Sequence, residues 1–168
     1  MSGKNIEAAG KFALDGSAVV VTGGSGRLGG AIVRALAEAG ADVVIADAQP
    51  PESQNRAEFA SNCTFEKFDM TDFDGMESRI AELSALGNGF NGWVNCAYPR
   101  TEDWGSATGE SSPRSWRDNV DMHMNGYCLS ADLAAQCIME LSKRDMSSLI
   151  AAWDSASVRF PSSASASS

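Results

Sequence analysis

The sequence predicts a three-layer α/β fold in which helices cover both faces of a parallel sheet. Short β-branched runs alternate along the chain with longer segments of helical periodicity, which is typical of that class. The first run, SAVVVT at 17–22, is continuously apolar, as expected for a strand buried on both faces. A glycine-rich turn then leads directly into a helical pattern. A length of 168 residues, 43% of them hydrophobic, fits one globular domain.

The remaining elements follow in the same alternation. Leu28, Ile32 and Leu36 share one helical face and predict a helix over 27–39, which Gly40 would end. Further along we predict a strand at 42–47, a short polar helix at 52–61, a strand at 64–69, a helix at 72–86, a strand at 92–97, a long helix at 113–144 and a fifth strand at 148–153. Together they give an incomplete, doubly wound parallel sheet with the strand order 3-2-1-4-5.

The long helix at 113–144 carries a nearly continuous apolar seam. Its members recur at steps of three and four: Val120, Met124, Tyr127, Ala131, Ala134, Ile138 and Leu141. One interpretation is a core stripe packed against the sheet. The other is a face shared with a second subunit, which predicts a homo-oligomer formed through this helix.

Composition excludes several classes of function. Thirteen Lys and Arg against 22 Asp and Glu give a net charge of −9, which argues against nucleic-acid and anionic-membrane partners. No apolar run reaches the roughly 18–20 residues of a membrane span, and the first residues lack the apolar core of a signal peptide. Four cysteines without a C-x-x-C pair and a single histidine do not predict a metal site. We therefore expect a soluble, cytoplasmic protein that acts on a small molecule.

The glycine-rich turn carries the strongest functional signal. Read from Gly24, the sequence has the spacing G-x-G-x-x-G between a strand and a helix, with an acidic residue about 20 positions later, which is the Rossmann dinucleotide-binding fingerprint. Gly26 lets the backbone approach a pyrophosphate, Gly29 lets helix and strand pack closely, and the amides at the helix start bind phosphate oxygens. The predicted cofactor-binding residues of the turn are Gly23, Ser25, Gly26, Arg27, Leu28 and Gly29. A turn that serves packing alone is the alternative.

The acidic residue is Asp47, at the end of the second strand. Its carboxylate can accept hydrogen bonds from the adenosine ribose hydroxyls and would repel a 2′-phosphate, which favours NAD over NADP. Arg27 weakens that preference, since an arginine in the turn could pair with a 2′-phosphate.

These residues resemble the short-chain dehydrogenase/reductase family over about 12–150. TGGSGRLG is similar to the family's Thr-Gly signature, in the glycine spacing of its extended subfamily. Asp69 and Met70 resemble the pair that holds the adenine ring, and Asn95, Cys96, Ala97 and Tyr98 stand where the family has Asn-Asn-Ala-Gly beside the cofactor cleft. NCAYPR, Trp104-Gly105 and NVDMHMNGY resemble members of flagellin-modification and nonulosonic-acid pathways, which implies a substrate derived from a sugar.

The resemblance also implies catalytic groups, and here the sequence departs from the family. His123 takes the place of the tetrad asparagine and could hold the same water chain, although a packed helix histidine is the alternative. The position of the serine that polarises the carbonyl falls at Asp154, so the candidate for that serine is Ser155, one residue later. The family's Tyr-x-x-x-Lys pair is missing, because Tyr98 is followed by Glu102 and Tyr127 by Ala131.

The last segment changes in composition. Nine of the 22 residues from Ser147 are serine, which predicts a disordered tail at 154–168 after a dinucleotide-binding domain at 1–153. We interpret the chain as a truncated or frame-shifted short-chain dehydrogenase whose family sequence ends near Ile150. Three functions remain open: an NAD(P)-dependent alcohol or ketone oxidoreductase, a non-catalytic NAD-binding module or partner subunit, and a non-functional fragment.

Overall fold

The computed structural model describes residues 13–52, 60–107 and 109–155, with side chains described up to residue 144. Most of the helix predicted at 52–61 lies outside the described residues, and so does the predicted tail from residue 156 onward.

Four strands form one parallel sheet. They are β1 (Ala18–Thr22), β2 (Asp42–Asp47), β3 (Cys63–Lys67) and β4 (Gly92–Asn95), in the order β3-β2-β1-β4. At the centre of the sheet, Val20 of β1 stands opposite Val44 and Trp93. β1 is almost completely buried, because it is an inner strand covered on both faces. The α/β class and the first four positions of the predicted order are confirmed.

Helices connect β1 to β2 and β3 to β4, as a parallel sheet requires. The described helices are α1 (Arg27–Glu38), α2 (Met76–Ser84), α3 (Pro113–Val120) and α4 (Gly126–Ser155), with a 3₁₀ turn at Glu102–Gly105 and a π-helical segment at Asp121–Asn125. Gly40 has a φ of +99°, so the predicted stop after α1 is a left-handed glycine. No helix in the described part of the chain combines the length and apolarity needed to cross a membrane.

Two apolar clusters lie on the two faces of the sheet. On one face α1 packs against β1 and β2, and on the other α2 and α4 do so. The buried face of α1 is Gly29, Val33 and Ala37, one residue beyond the predicted row of Leu28, Ile32 and Leu36. Ile32 and Leu36 flank the cluster, whereas Leu28 is exposed. Gly29 and Gly30 in the first turn are buried and have no side chain, so this face of α1 can pack closer to the sheet than the predicted face.

The predicted helix at 113–144 exists, but the π-helical segment interrupts it. Tyr127, Ala134 and Ile138 pack on the sheet, whereas Val120 and Met124 are more than half exposed. The extra residue in the π turn rotates one part of the helix relative to the other, so the seam divides between core and surface. The interpretation as a core stripe is therefore confirmed for the part of the seam in α4, and the face shared with a second subunit stays a prediction for the exposed part.

The fifth strand predicted at 148–153 is wrong, since these residues continue α4 to Ser155. Between Gly126 and Pro161 the sequence has neither glycine nor proline, so no local signal ends the helix before a strand could begin. The apolar run LIAAW is short enough to suit either structure, and its alanines favour the helix. The described sheet therefore ends at β4.

Candidate functional site

The candidate site lies at the carboxyl ends of β1, β2 and β4, where the glycine turn begins. Gly23 has a φ of +67°, and its amide donates to the carbonyl of Ala46 at 2.8 Å. A Cβ on Gly23 would lie 2.5 Å from Cα of Ala97, and one on Gly29 would lie 2.2 Å from the carbonyl oxygen of Gly23. Packing alone therefore requires glycine at positions 23 and 29.

Gly26 is held less tightly than these two glycines. A Cβ there would meet only the carbonyl oxygen of Gly23, at 3.3 Å. Gly26 is the N-cap of α1 and no side chain caps the helix, so the first-turn amides have no side-chain acceptor there. Arg27 and Leu28 are exposed in that turn. An uncapped helix start that follows a close glycine turn is suited to an anionic group.

Asp47 lies beside the turn and contacts its backbone. One carboxylate oxygen accepts the amide of Ser25 at 3.1 Å, and the other accepts the amide of Gln49 at 3.2 Å. The hydroxyl of Ser25 donates to the carbonyl of Gln49 at 2.8 Å. Because each carboxylate oxygen can accept more than one hydrogen bond, Asp47 can shape the turn and still accept hydroxyl groups.

Thr22 joins the ends of β1 and β4, a role that our sequence analysis missed. Its fully buried hydroxyl donates to Asn95 Oδ1 at 3.2 Å and accepts the amides of Cys96 and Ala97 at 3.2 and 3.4 Å. A hydroxyl-bearing β-branched residue at the last position of a buried strand is the signal that could have identified it, since a buried hydroxyl needs partners.

Asn95 lies at the end of β4, and its side chain makes hydrogen bonds through both its oxygen and its nitrogen. Its oxygen also accepts Trp93 Nε1 at 2.9 Å and the hydroxyl of buried Ser130 at 3.3 Å, and its Nδ2 donates to the carbonyl of Tyr127. Asn95 thus fastens the sheet to α4. Ser130 was also missed, because serine in a helix is usually solvated.

Asp69 and Met70 follow β3 and point to different environments. Asp69 is exposed, and its carboxylate accepts the amide and the hydroxyl of Thr71 at 2.9 and 2.7 Å. Met70 is buried in the cluster beneath α2 and α4. The carboxylate of exposed Asp69 can still contact a ligand at this strand end, whereas the buried side chain of Met70 cannot.

Cys96 and Ala97 line the opposite side of the turn. Burial raises the pKa of the Cys96 thiol, which disfavours a thiolate there. The carbonyl of Ala97 accepts the hydroxyl of Tyr127. Burial, with additions from Cys96 and Tyr98, raises the pKa of Tyr127.

His123 lies in the π-helical segment within an aromatic cluster, which we define as Tyr98, Trp104, Trp116, His123 and Tyr127. The ring of Tyr98 stacks on the imidazole with centroids 4.7 Å apart, and Trp104 meets the imidazole edge-on at 6.3 Å. Nε2 of His123 is buried without a hydrogen-bond partner. A buried nitrogen in that state is suited to a water or ligand oxygen.

Both tyrosines of the site already have contacts within it. Tyr127 donates to a backbone carbonyl and has a raised pKa, whereas a catalytic phenol needs a lowered one. Tyr98 stacks on His123 and stands four residues before Glu102. Ser155 is the last residue of α4, and its side chain lies outside the described part of the chain.

The site therefore unites the turn (23–29), Asp47 and the segment after β4. Comparison with known proteins identifies the family. A family model described as short chain dehydrogenase matches residues 17–156. The chain belongs to the short-chain dehydrogenase family.

Curated relatives and solved structures carry the same name or fold. The short-chain dehydrogenase/reductase prx4 of Penicillium roqueforti is 29% identical over 77% of this chain and 39% of the relative. The crystal structure of gox2181 superposes with a TM-score of 0.66 at 25% identity, covering 77% of this chain and 51% of that one. An NADP-bound 3-oxoacyl (acyl-carrier-protein) reductase from Agrobacterium tumefaciens C58 shares the fold, with a TM-score of 0.64 at 17% identity, over 82% of this chain and 54% of that one. This short-chain dehydrogenase chain spans only about half the length of these proteins or less.

Proposed function

We propose that this chain binds a nicotinamide dinucleotide and forms the cofactor-binding half of a hydride-transferring oxidoreductase. The observation that carries the proposal is the uncapped start of α1 directly after a glycine turn, with Asp47 beside it. The chain's membership of the short-chain dehydrogenase family, a family of oxidoreductases, supports the proposal. The substrate class would be a secondary alcohol or the matching ketone, and the resemblance to sugar-pathway members favours a sugar-derived one.

The residues of this chain fit such a cofactor. The pyrophosphate would lie on Gly26, where a Cβ would narrow the approach, and on the amides of Arg27 and Leu28. Gly23, Ser25 and Gly29 shape that turn. Asp69 and the Met70 backbone stand at the strand end predicted for the adenine ring. Asn95, Cys96 and Ala97 form the wall on the far side.

Asp47 is proposed to select NAD over NADP. It would accept the ribose hydroxyls of NAD, and a 2′-phosphate in the same place would face its negative charge. Arg27 is exposed on the same turn and would reduce this discrimination. We expect NADH to bind at least about tenfold more tightly than NADPH, since about 1.4 kcal/mol of repulsion is enough for that factor.

When bound, the nicotinamide would give or accept the hydride. This chain's own contribution beside the ring would be His123, whose unpartnered Nε2 can hold a water or a substrate oxygen. Ser155 would polarise the carbonyl only if another conformation brings it to the site. The proton-transferring tyrosine and lysine of the family have no counterpart in this sequence.

The lack of a Tyr-x-x-x-Lys pair in this sequence favours a second function. Tyr127 and Tyr98 are already engaged with Ala97 and His123, so this chain could bind NAD without turning it over, as a binding module or partner subunit. NADH binding without oxidation of NADH by any ketone tested would support this function over the catalytic one.

Titration of NADH fluorescence with two matched variants tests the proposed function. Asp47→Ala removes the carboxylate at the carboxyl end of β2, and we expect at least about tenfold weaker NADH binding. Asp42→Ala changes an exposed aspartate at the opposite end of the same strand and is expected to bind NADH like the wild type. Equal affinity in all three proteins would contradict the proposed site. Absence of cooperative thermal unfolding in the wild type would favour a non-functional fragment.

We also propose that the exposed part of the helical seam joins two copies of the chain. Val120, at the end of α3, and Met124, in the π-helical segment, are each more than half exposed, and an exposed apolar patch of this kind is typical of an interface. Light scattering should show a dimer or larger oligomer, and Met124→Lys should convert it to a monomer. A wild-type monomer at micromolar concentration would be incompatible with this association.

A further inference from the structure

The three tryptophans whose side chains the structure describes fall into different environments. Trp93 is packed between Phe68 and Phe90, and its Nε1 donates to Asn95. Trp104 and Trp116 instead leave 38% and 60% of their surfaces exposed. Exposed indoles forgo the burial that normally stabilises a tryptophan, so these two rings have no evident role in the core.

The two exposed rings form a track that begins at His123. Trp104 lies 6.3 Å from the imidazole and 6.2 Å from Trp116, edge-to-face in both cases. The rings therefore extend from the site proposed for the reaction to the surface of α3.

A buried polar network fixes the positions of these rings. Asn119 is only 3% exposed; it accepts the amide of Thr101 at 3.2 Å and donates to the Thr101 hydroxyl and the Ser115 carbonyl, both at 2.7 Å. Thr101 leads into the 3₁₀ turn that carries Trp104, and Asn119 lies on the helix that carries Trp116. A rigid aromatic pair loses little entropy when a ligand binds.

A cavity of about 320 Å³ lies beside the rings, and both belong to its lining. Its described lining includes Trp104, Trp116, Asn119 and the serines Ser106 and Ser111, and no described lining residue carries a charge. The volume is at the lower end of the range for small-molecule pockets, which fits a ligand of about one ring.

We propose that this cavity binds a neutral monosaccharide ring. The apolar C–H face of a pyranose would lie on an indole, and its hydroxyls would meet the serine hydroxyls and backbone groups at the rim. The uncharged lining disfavours sugar phosphates and sugar acids, because a buried charge would have no partner. This inference rests on the proposed function only in naming the bound sugar as the substrate; binding itself requires no cofactor.

Saturation-transfer NMR on the full chain tests it, with methyl α-D-glucopyranoside, methyl α-D-galactopyranoside and methyl α-D-mannopyranoside as probes and phenol as the aromatic comparison. We expect transfer to the ring protons of at least one glycoside. Trp116→Leu should weaken that binding at least about fivefold, as for truncation of an anchoring tryptophan. Trp116→Phe should retain most of it, and Met139→Ala, which removes an exposed apolar side chain elsewhere on α4, should match the wild type.

The inference is overturned if none of the glycosides receives saturation, if Trp116→Leu binds as well as the wild type, or if phenol binds and the glycosides do not. Circular dichroism of each variant shows whether it is folded. If Trp116→Leu is not folded, glycoside binding by Trp116→Phe decides the test. NADH titration in the same samples separates the two proposals. Glycoside binding without NADH binding would support the sugar site and contradict the proposed function. NADH binding without glycoside binding would support the proposed function and contradict the sugar site.

Discussion

The two sides of the candidate cleft are built in different ways. On the side of the glycine turn, 22–29, the geometry is set by the backbone: left-handed Gly23, tightly packed Gly29 and amides held by Asp47. On the side after β4, 95–127, the geometry is set by side chains that hydrogen-bond and stack. A backbone-defined site tolerates few sequences, whereas a side-chain-defined site can be rebuilt. Within these two segments, the departures from the family pattern, at Cys96, Tyr98 and His123, lie on the second side.

The largest effect should come from Gly23→Ala. The new Cβ would clash with the Ala97 backbone at 2.5 Å in a left-handed conformation, and we expect a loss of about 3–5 kcal/mol in the free energy of unfolding. Urea denaturation measures it. Gly26→Ala is the matched control, because its Cβ would have no contact shorter than 3.3 Å and a φ of −77° suits alanine. A comparable loss in both variants would show that the two glycines do not differ as described.

A smaller loss is expected from Thr22→Val, which tests whether the two sides of the cleft are coupled. The substitution keeps the shape but leaves Asn95 and the amides of Cys96 and Ala97 short of a partner. We expect a loss of about 1–3 kcal/mol in urea denaturation. Thr22→Ser keeps the hydroxyl and should recover most of that hydrogen-bonding contribution; if it is as unstable as Thr22→Val, the hydroxyl is not what joins the strands.

The smallest effect concerns Tyr127 and depends on pH. Burial raises the pKa of Tyr127 in the folded chain, so its neutral hydroxyl contributes stability below the ordinary tyrosine pKa of about 10 and loses it as pH rises through the folded pKa. The free energy of unfolding of the wild type should therefore fall more steeply above pH 10 than that of Tyr127→Phe. If the free energy of unfolding falls equally steeply with pH in the wild type and in Tyr127→Phe, Tyr127 does not cause this pH dependence.

Much of the turn side could be predicted from sequence, and less of the other side. Glycine spacing, a strand before it and an acid after the next strand are local features, so the turn and Asp47 were found. The side-chain hydrogen bonds between Asn95 and Ser130 and between Thr101 and Asn119 join residues 35 and 18 positions apart. No local sequence pattern predicts them. The aromatic cluster likewise forms only when the loop after β4 folds back on α3.

The sequence by itself determined the α/β class, the order of the first four strands, the stop at Gly40 and the place of the glycine turn, because each depends on periodicity or on a residue's own backbone preference. Only the tertiary structure decided which face of α1 is buried, how the long helical seam divides between core and surface, and that 148–153 continue α4. These outcomes depend on packing between elements distant in sequence, where the closest fit outweighs local pattern.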